Sequence, residues 1–422
     1  MGIAMRTRPR VIVIGGGFGG LSAVRTLHSA AVDVLLIDRG NHHTFQPLLY
    51  QVATAGLAAP SIAAPLRHIL RGQRNVTVLL GEARGIDLEG RTVDVDGVAH
   101  RYDFLIVATG NTHAYFGHDE WARYAPGLKT LDDALRIRAR ILTAFERAEA
   151  ADDPAQQMGW LTFLIVGAGP TGVELAGTLA EIARHTLKRE FRHIDPATAR
   201  VLLVEAGPRV LPAFPPSLSA KAQRQLERLG VIVRTGRPVT RLDERGVCID
   251  EERITARTVL WAAGVAASPL GAALGVPVDR AGRVLVTAQL TVPEHPDVFV
   301  VGDLTAVPDA TGPVPAIAPA AKQMGRYAAA AILAKLSGRV IGPFRYRHFG
   351  SLATIGRMAA VADFGRLRVS GILAWWIWLT AHVYFLIGFR NRLVVLIDWA
   401  EAYWSYRRGA RIIFSVGESV KR

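Results

Sequence analysis

Two six-residue stretches of this chain have the residue types and spacing to do nucleotide chemistry. Gly15-Gly16-Gly17-Phe18-Gly19-Gly20 and Gly167-Ala168-Gly169-Pro170-Thr171-Gly172 both read Gly-x-Gly-x-x-Gly. In each, the first glycine (Gly15, Gly167) permits a tight turn. The second (Gly17, Gly169) lets backbone approach a pyrophosphate, and the third (Gly20, Gly172) lets helix and strand pack closely. The helix that opens next offers free N–H groups and the positive end of its dipole. An acid stands at the matching distance in both copies: Asp38 closes Val34-Leu35-Leu36-Ile37, and Glu205 closes Val201-Leu202-Leu203-Val204. A carboxylate there accepts hydrogen bonds from ribose hydroxyls. Glu205 also repels a 2′-phosphate, so the second ligand should be NADH over NADPH.

The elements that must position these turns are legible around them. Val11-Ile12-Val13-Ile14 and residues 161–166 are the apolar strands that feed the two turns. Two copies of strand, glycine turn, helix, strand and terminal acid predict two Rossmann-type domains in an α/β chain. Three further apolar strands end in small or acidic residues: Ala108-Thr109-Gly110, Ala262-Ala263-Gly264 and Val301-Gly302-Asp303. Ligands of open α/β sheets bind at such carboxyl edges, and Asp303 can accept from a ribityl or ribose hydroxyl. Phe45-Gln46-Pro47-Leu48-Leu49-Tyr50 follows Asp38 where a cofactor's extended tail would pass. Glu174 sits in the first turn of the second fingerprint helix, where it could tune the handling of NADH or its electron acceptor. Residues 131–149 predict a helix with Ile137, Ile141, Leu142 and Phe145 on its apolar face. Expected boundaries are 8–115 and 271–340 for a first domain in two parts, 116–270 for an inserted second domain, and 341–422 for a C-terminal region.

Bulk composition narrows the function classes. The 422 residues are half apolar, which supports a large core. The single cysteine, Cys248, excludes a disulfide framework and any mechanism that needs a cysteine pair. No set of His, Asp or Glu has metal spacing. The net charge is +14, and residues 339–422 hold 13 Lys or Arg against 4 Asp or Glu. A basic tail suits an anionic partner. No recognisable nucleic-acid module accompanies it, and its tryptophans point to lipid. The N-terminal ten residues are basic but lack an apolar core, so they do not read as a secretory signal, and the catalytic body should face the cytoplasm.

Residues 371–389 are almost wholly apolar, about the length that spans a bilayer. Trp375, Trp376, Trp378 and Tyr384, closed by Arg390 and Arg392, favour lying at the interface instead. Residues 392–408 predict an amphipathic helix, with Asp398, Glu401, Ser405 and Arg408 on a polar stripe opposite Leu393, Leu396, Ile397 and Trp404.

Taken together, these stretches resemble the type II NADH:quinone oxidoreductases. The likeness lies in the first fingerprint, Phe45-Gln46-Pro47-Leu48-Leu49-Tyr50-Gln51-Val52, Gly169-Pro170-Thr171-Gly172-Val173-Glu174-Leu175-Ala176-Gly177, Val301-Gly302-Asp303 and the Trp-rich tail. It implies a two-dinucleotide-domain flavoprotein with non-covalent FAD in the first domain and NADH as substrate in the second. It also implies a homodimeric, monotopic membrane enzyme that reduces quinone without pumping protons. By the same resemblance Gly15, Gly17, Gly20, Asp38, Gln46, Thr109, Gly110 and Asp303 would hold FAD. Gly167, Gly169, Gly172 and Glu205 would hold NADH, with Ala263 and Gly264 near the nicotinamide. Relatives carry an Ala-Gln pair and a second Gln four residues later at the quinone site. Here Gln323 matches the second and Pro319 replaces the first. A non-quinone acceptor, or a slow-turnover redox-sensing flavoprotein, stays open as the alternative.

Overall fold

The computed structural model describes residues 8–307, 314–405 and 408–413. Both fingerprints form the expected βαβ unit. The first is β1 (Arg10–Ile14), α1 (Phe18–Thr26) and β2 (Asp33–Asp38); the second is β3 (Thr162–Val166), α2 (Pro170–Glu181) and β4 (Arg200–Glu205). The chain later adds a long helix α3 (Ala318–Leu336), then α4 (Ile372–Phe385) and α5 (Phe389–Ser405).

The chain divides into two compact units. The first holds residues 8–43, Ala64–Thr112 and Val265–Phe349. Its sheet runs Thr291–Val292, His295–Val300, Phe104–Val107, β1, β2, Val76–Leu80. Every pairing is parallel except that of Thr291–Val292. Val11, Ile12 and Val13 have no exposure at all, as a central parallel strand covered on both faces requires. Each such side chain contributes roughly 1.5–3 kcal/mol by burial. Helix α3 crosses α1 so closely that a Cβ on Gly325 would fall 2.0 Å from the Gly19 carbonyl oxygen.

The second unit holds Thr44–Ala63, His113–Gly264 and the described residues from Gly350 onward. Its parallel sheet runs Val231–Thr235, β4, β3, Thr258–Trp261. The helix Leu131–Glu149 opens on a capping box between Thr130 and Asp133 and buries Ile137, Ile141, Leu142 and Phe145. This division differs from the boundaries expected above, because Thr44–Ala63 and the C-terminal region both group with the second unit. The physical cause is packing on α2. Ser351–Gly356 runs so close to it that a Cβ on Gly177 would fall 1.6 Å from the Ile355 carbonyl oxygen.

The tail is more broken than its composition suggested. Helix α4 ends at Phe385, Leu386 is extended, and Gly388 has φ +87°. Fourteen residues rise only about 21 Å, short of a ~30 Å hydrocarbon core. Among the described residues no helix is long and apolar enough to cross a membrane. Helix α5 buries Asn391, Val395 and Trp399, while Leu393, Leu396 and Ile397 are exposed. Arg408 corrects the expected polar stripe: it lies beyond the helix and is buried against Glu181. The side chains of Trp404 and Ser405 lie outside the described residues.

Candidate functional site

In the first unit, Gly15 turns the chain at φ +102°, and a Cβ on Gly20 would fall 1.8 Å from the Gly15 carbonyl oxygen. Gly17 caps α1 with no side-chain cap, and nothing lies within 4 Å of where its Cβ would point. Open space over uncapped N–H groups is what a pyrophosphate needs. The Asp38 carboxylate accepts from Gly16 N at 2.5 Å and Gly40 N at 2.7 Å. It thereby braces the turn and keeps lone pairs for ribose hydroxyls. Thr109 Oγ1 is buried with no hydrogen-bond partner, next to Gly110 at φ +68°. Asp303 sits in the short turn Gly302–Leu304 and accepts from Asn111 Nδ2 at 2.9 Å. The glycine cradle, the ribose carboxylate and an orphaned hydroxyl at the sheet edge fit an extended flavin dinucleotide.

The second unit repeats the geometry. Gly167 has φ +98°, Gly169 caps α2 over open space, and a Cβ on Gly172 would again fall 1.8 Å from a carbonyl oxygen, that of Gly167. Glu205 accepts from Ala168 N at 2.7 Å and Gly207 N at 2.8 Å, the counterpart of the Asp38 brace. Arg209 is tied back to the Pro212 carbonyl at 2.8 Å. Ala263 and Gly264 follow the strand Thr258–Trp261, with the exposed Phe116 ring against Gly264.

Two sequence candidates, Gln46 and Gln323, already bond to other groups of the chain. Gln46 is exposed and falls in the second unit, its Nε2 3.4 Å from the Lys129 carbonyl. Gln323 donates to the Arg347 carbonyl at 2.9 Å and accepts from Arg347 N at 3.0 Å. One N–H of its amide then remains for a ligand. Pro319 occupies the first turn of α3, where its missing N–H costs no helical hydrogen bond.

Glu174 is partly exposed, yet burial around its carboxyl raises its pKa well above the usual carboxylate range, against a hydrogen bond from the Thr354 backbone. Burial and the nearby Glu174 raise the Tyr50 phenol likewise. Two turns further along α2, Glu181 closes a cavity of about 80 Å³ that Tyr50, Gln51, Thr178, Tyr403 and Arg408 also line. That volume admits about two or three waters. Glu181 pairs with Arg408 at 3.3 Å and accepts the Arg357 N–H. Tyr50, Glu181 and Arg408 were not singled out as site residues by sequence, because no spacing rule links positions so far apart in the chain. His43, in the first unit, is 2% exposed and donates from Nδ1 to the Gly16 carbonyl at 2.9 Å, a structural hydrogen bond within the first fingerprint.

Two dinucleotide cradles, each braced by its own acid, define a two-dinucleotide-binding-domain flavoprotein oxidoreductase. The family profile described as pyridine nucleotide-disulphide oxidoreductase matches residues 9–325, and that of the NDH2 C-terminal domain matches 348–407. The type II NADH:quinone oxidoreductase Ndh of Mycobacterium tuberculosis is 47% identical, over 95% of this chain and 89% of its own length. NdhA of the same organism is 48% identical, over 98% and 91%. The solved structure of NDH2 from Plasmodium falciparum in complex with NADH superposes with TM-score 0.87 at 20% identity, covering 96% of this chain and all of that one, a likeness of fold. The chain belongs to the type II NADH:quinone oxidoreductase family of flavin-dependent enzymes.

Proposed function

We propose that this protein oxidises NADH at the second fingerprint and, through FAD held at the first, reduces a membrane quinone without pumping protons. The observation that carries this reading is the duplicated cradle with a carboxylate at each ribose position, Asp38 and Glu205. FAD supplies the two-electron chemistry that joins a hydride donor to a quinone. The chain's own residues bind and orient. The N–H groups opening α2 take the NADH pyrophosphate, and Glu205 takes the adenosine ribose diol and disfavours a 2′-phosphate. Converting NADH and quinone to NAD⁺ and quinol consumes one proton beyond the hydride. Glu174 keeps its carboxyl proton above the usual carboxylate range and is positioned to hold it.

The test is a steady-state assay on purified protein in lipid. NADH should outpace NADPH, and turnover should require a quinone, with ubiquinone and menaquinone analogues compared side by side. NADPH use without quinone dependence would overturn the reading. In the same assay Glu174→Gln should keep its FAD but lose roughly tenfold or more in kcat, since an amide cannot relay a proton. Unchanged turnover and an unchanged pH profile would remove Glu174 from proton handling.

The membrane reading rests on an exposed apolar stripe. Leu373, Trp376 and Tyr384 of α4 are all more than half exposed, as are Ile372 and Phe385 beside them. With Leu393 and Ile397 of α5 and the neighbouring Arg390 and Arg392, they suit a lipid surface of the cytoplasmic face. Co-flotation with anionic vesicles, abolished by Trp376→Ser with Tyr384→Ser, checks this. The homodimer that the resemblance implies is checked by the mass of the detergent-free particle. A dimer that shields these side chains from vesicles would reassign the stripe.

A further inference from the structure

Phe116 takes part in no step above. It belongs to the second unit and lies between His113 and the helical turn Asp119–Arg123. Its ring is 70% exposed, and its backbone lies in the left-handed region at φ +54°, followed by Gly117 at φ +89°. That region strains a bulky residue and suits Gly or Asn. An exposed aromatic ring also forgoes the burial that stabilises such rings elsewhere. Phe116 combines both penalties, so neither core packing nor turn formation accounts for a phenylalanine at this position.

The surroundings hold this ring in place. Tyr115 turns inward: its ring stacks on Trp261 at 5.0 Å, and its hydroxyl donates to the Ala125 carbonyl at 2.8 Å. Trp261 Nε1 donates to the Ala114 carbonyl at 2.9 Å, and the His118 N–H donates to the Tyr115 carbonyl at 3.1 Å. Phe116 is the outward member of a turn anchored on both sides, with its ring centre 6.3 Å from that of Trp261. The ring lies against Gly264, itself at φ +74°, and a Cβ there would overlap the ring's tip.

What passes over the ring follows from strand order. The sheet of the second unit runs Val231–Thr235, β4, β3, Thr258–Trp261, all parallel. Glu205, at the end of β4, takes the adenosine ribose, and the start of α2, after β3, takes the pyrophosphate. The other half of an extended dinucleotide then lies over the next strand, which ends at Trp261 and leads through Ala262 and Ala263 to Gly264. We propose that Phe116 is a stacking platform for the nicotinamide ring of NADH, covering one face and leaving the other for hydride transfer. The ligand in turn covers the exposed ring. This rests on the assignment of NADH to the second fingerprint.

The experiment titrates the full-length holoenzyme by calorimetry with NAD⁺, which binds without turning over, and with ADP-ribose, which lacks the nicotinamide. Phe116→Asn removes the ring and suits the left-handed backbone. This variant should melt no lower than wild type, whereas a purely structural ring would lower the melting temperature when removed. It should bind NAD⁺ about tenfold more weakly, about 1.4 kcal/mol, the size of one aromatic stack. Its affinity for ADP-ribose should stay within about twofold of wild type, because the contacts of that fragment lie elsewhere on the sheet edge. Phe116→Tyr, which keeps an aromatic face, should hold NAD⁺ within about twofold of wild type. Phe116→Ala provides the same reading if the asparagine variant folds poorly. A wild type that binds neither ligand overturns the NADH assignment and this inference together. A wild type that binds both, while Phe116→Asn and Phe116→Ala hold NAD⁺ equally well or lose ADP-ribose as much as NAD⁺, overturns this inference alone.

Discussion

Gly172→Ala should abolish NADH oxidation, by about 100-fold or more in kcat/KM, in a protein that still carries its FAD. The added methyl would fall 1.8 Å from the carbonyl oxygen of Gly167 and 3.0 Å from its carbon. Both are backbone atoms at the turn itself, so no rotamer change relieves the clash. Helix α2 must withdraw by more than 1 Å, and its N–H groups withdraw from the pyrophosphate with it. A misplacement of that size costs about 100-fold even far from the reacting atoms. The twin substitution supplies the control. Gly20→Ala meets the Gly15 carbonyl at the same 1.8 Å and should lose FAD instead. Flavin absorbance and NADH titration of the two variants therefore separate the two sites. A Gly172→Ala enzyme with wild-type KM for NADH, or a Gly20→Ala enzyme that is fully yellow, would contradict the assignment of ligands to turns.

The two cradles were legible because their physics is local. A tight turn, a helix start and a strand-ending acid lie within about 30 residues, and each needs one residue type. The structure adds what the acids do before any ligand arrives. Asp38 and Glu205 each accept the N–H of the residue after the first fingerprint glycine and the N–H two positions beyond themselves. The tail was read less well, since composition reports apolar content and not which face is covered. Helix α5 turned out to have two apolar faces, one buried through Val395 and Trp399 and one exposed through Leu393 and Ile397. Gln323 illustrates the other limit. Its residue type invites a ligand, but whether its amide is already bonded depends on Arg347, 24 residues away. Long-range partners of this kind leave no periodic mark.

Arg408→Met should be the most destabilising substitution in the C-terminal region, by about 3–5 kcal/mol. The side chains of Arg408 and Glu181 are only 11% and 14% exposed, 3.3 Å apart. Arg408 also donates to the Thr54 carbonyl at 3.0 Å, so one guanidinium ties residue 408 to α2 and to the Leu49–Ala53 turn. Removing it leaves the Glu181 carboxylate desolvated with little beyond the Arg357 N–H to hold it. Breaking one partner of a buried pair costs more than the pair itself contributes, because the surviving charge stays out of water. The holoenzyme melting temperature should fall by about 5 °C. The double variant Arg408→Met with Glu181→Gln should recover most of that loss, since no uncompensated charge remains. Equal melting of the single and double variants would show that packing, and not the buried charge, sets the cost. The consequence reaches the chemistry through α2. Glu174 and Glu181 are seven residues apart, two turns on the same face, so the ion pair at the end of the helix also fixes the carboxyl at its start. Quinone turnover should therefore drop with stability in Arg408→Met and return in the double variant.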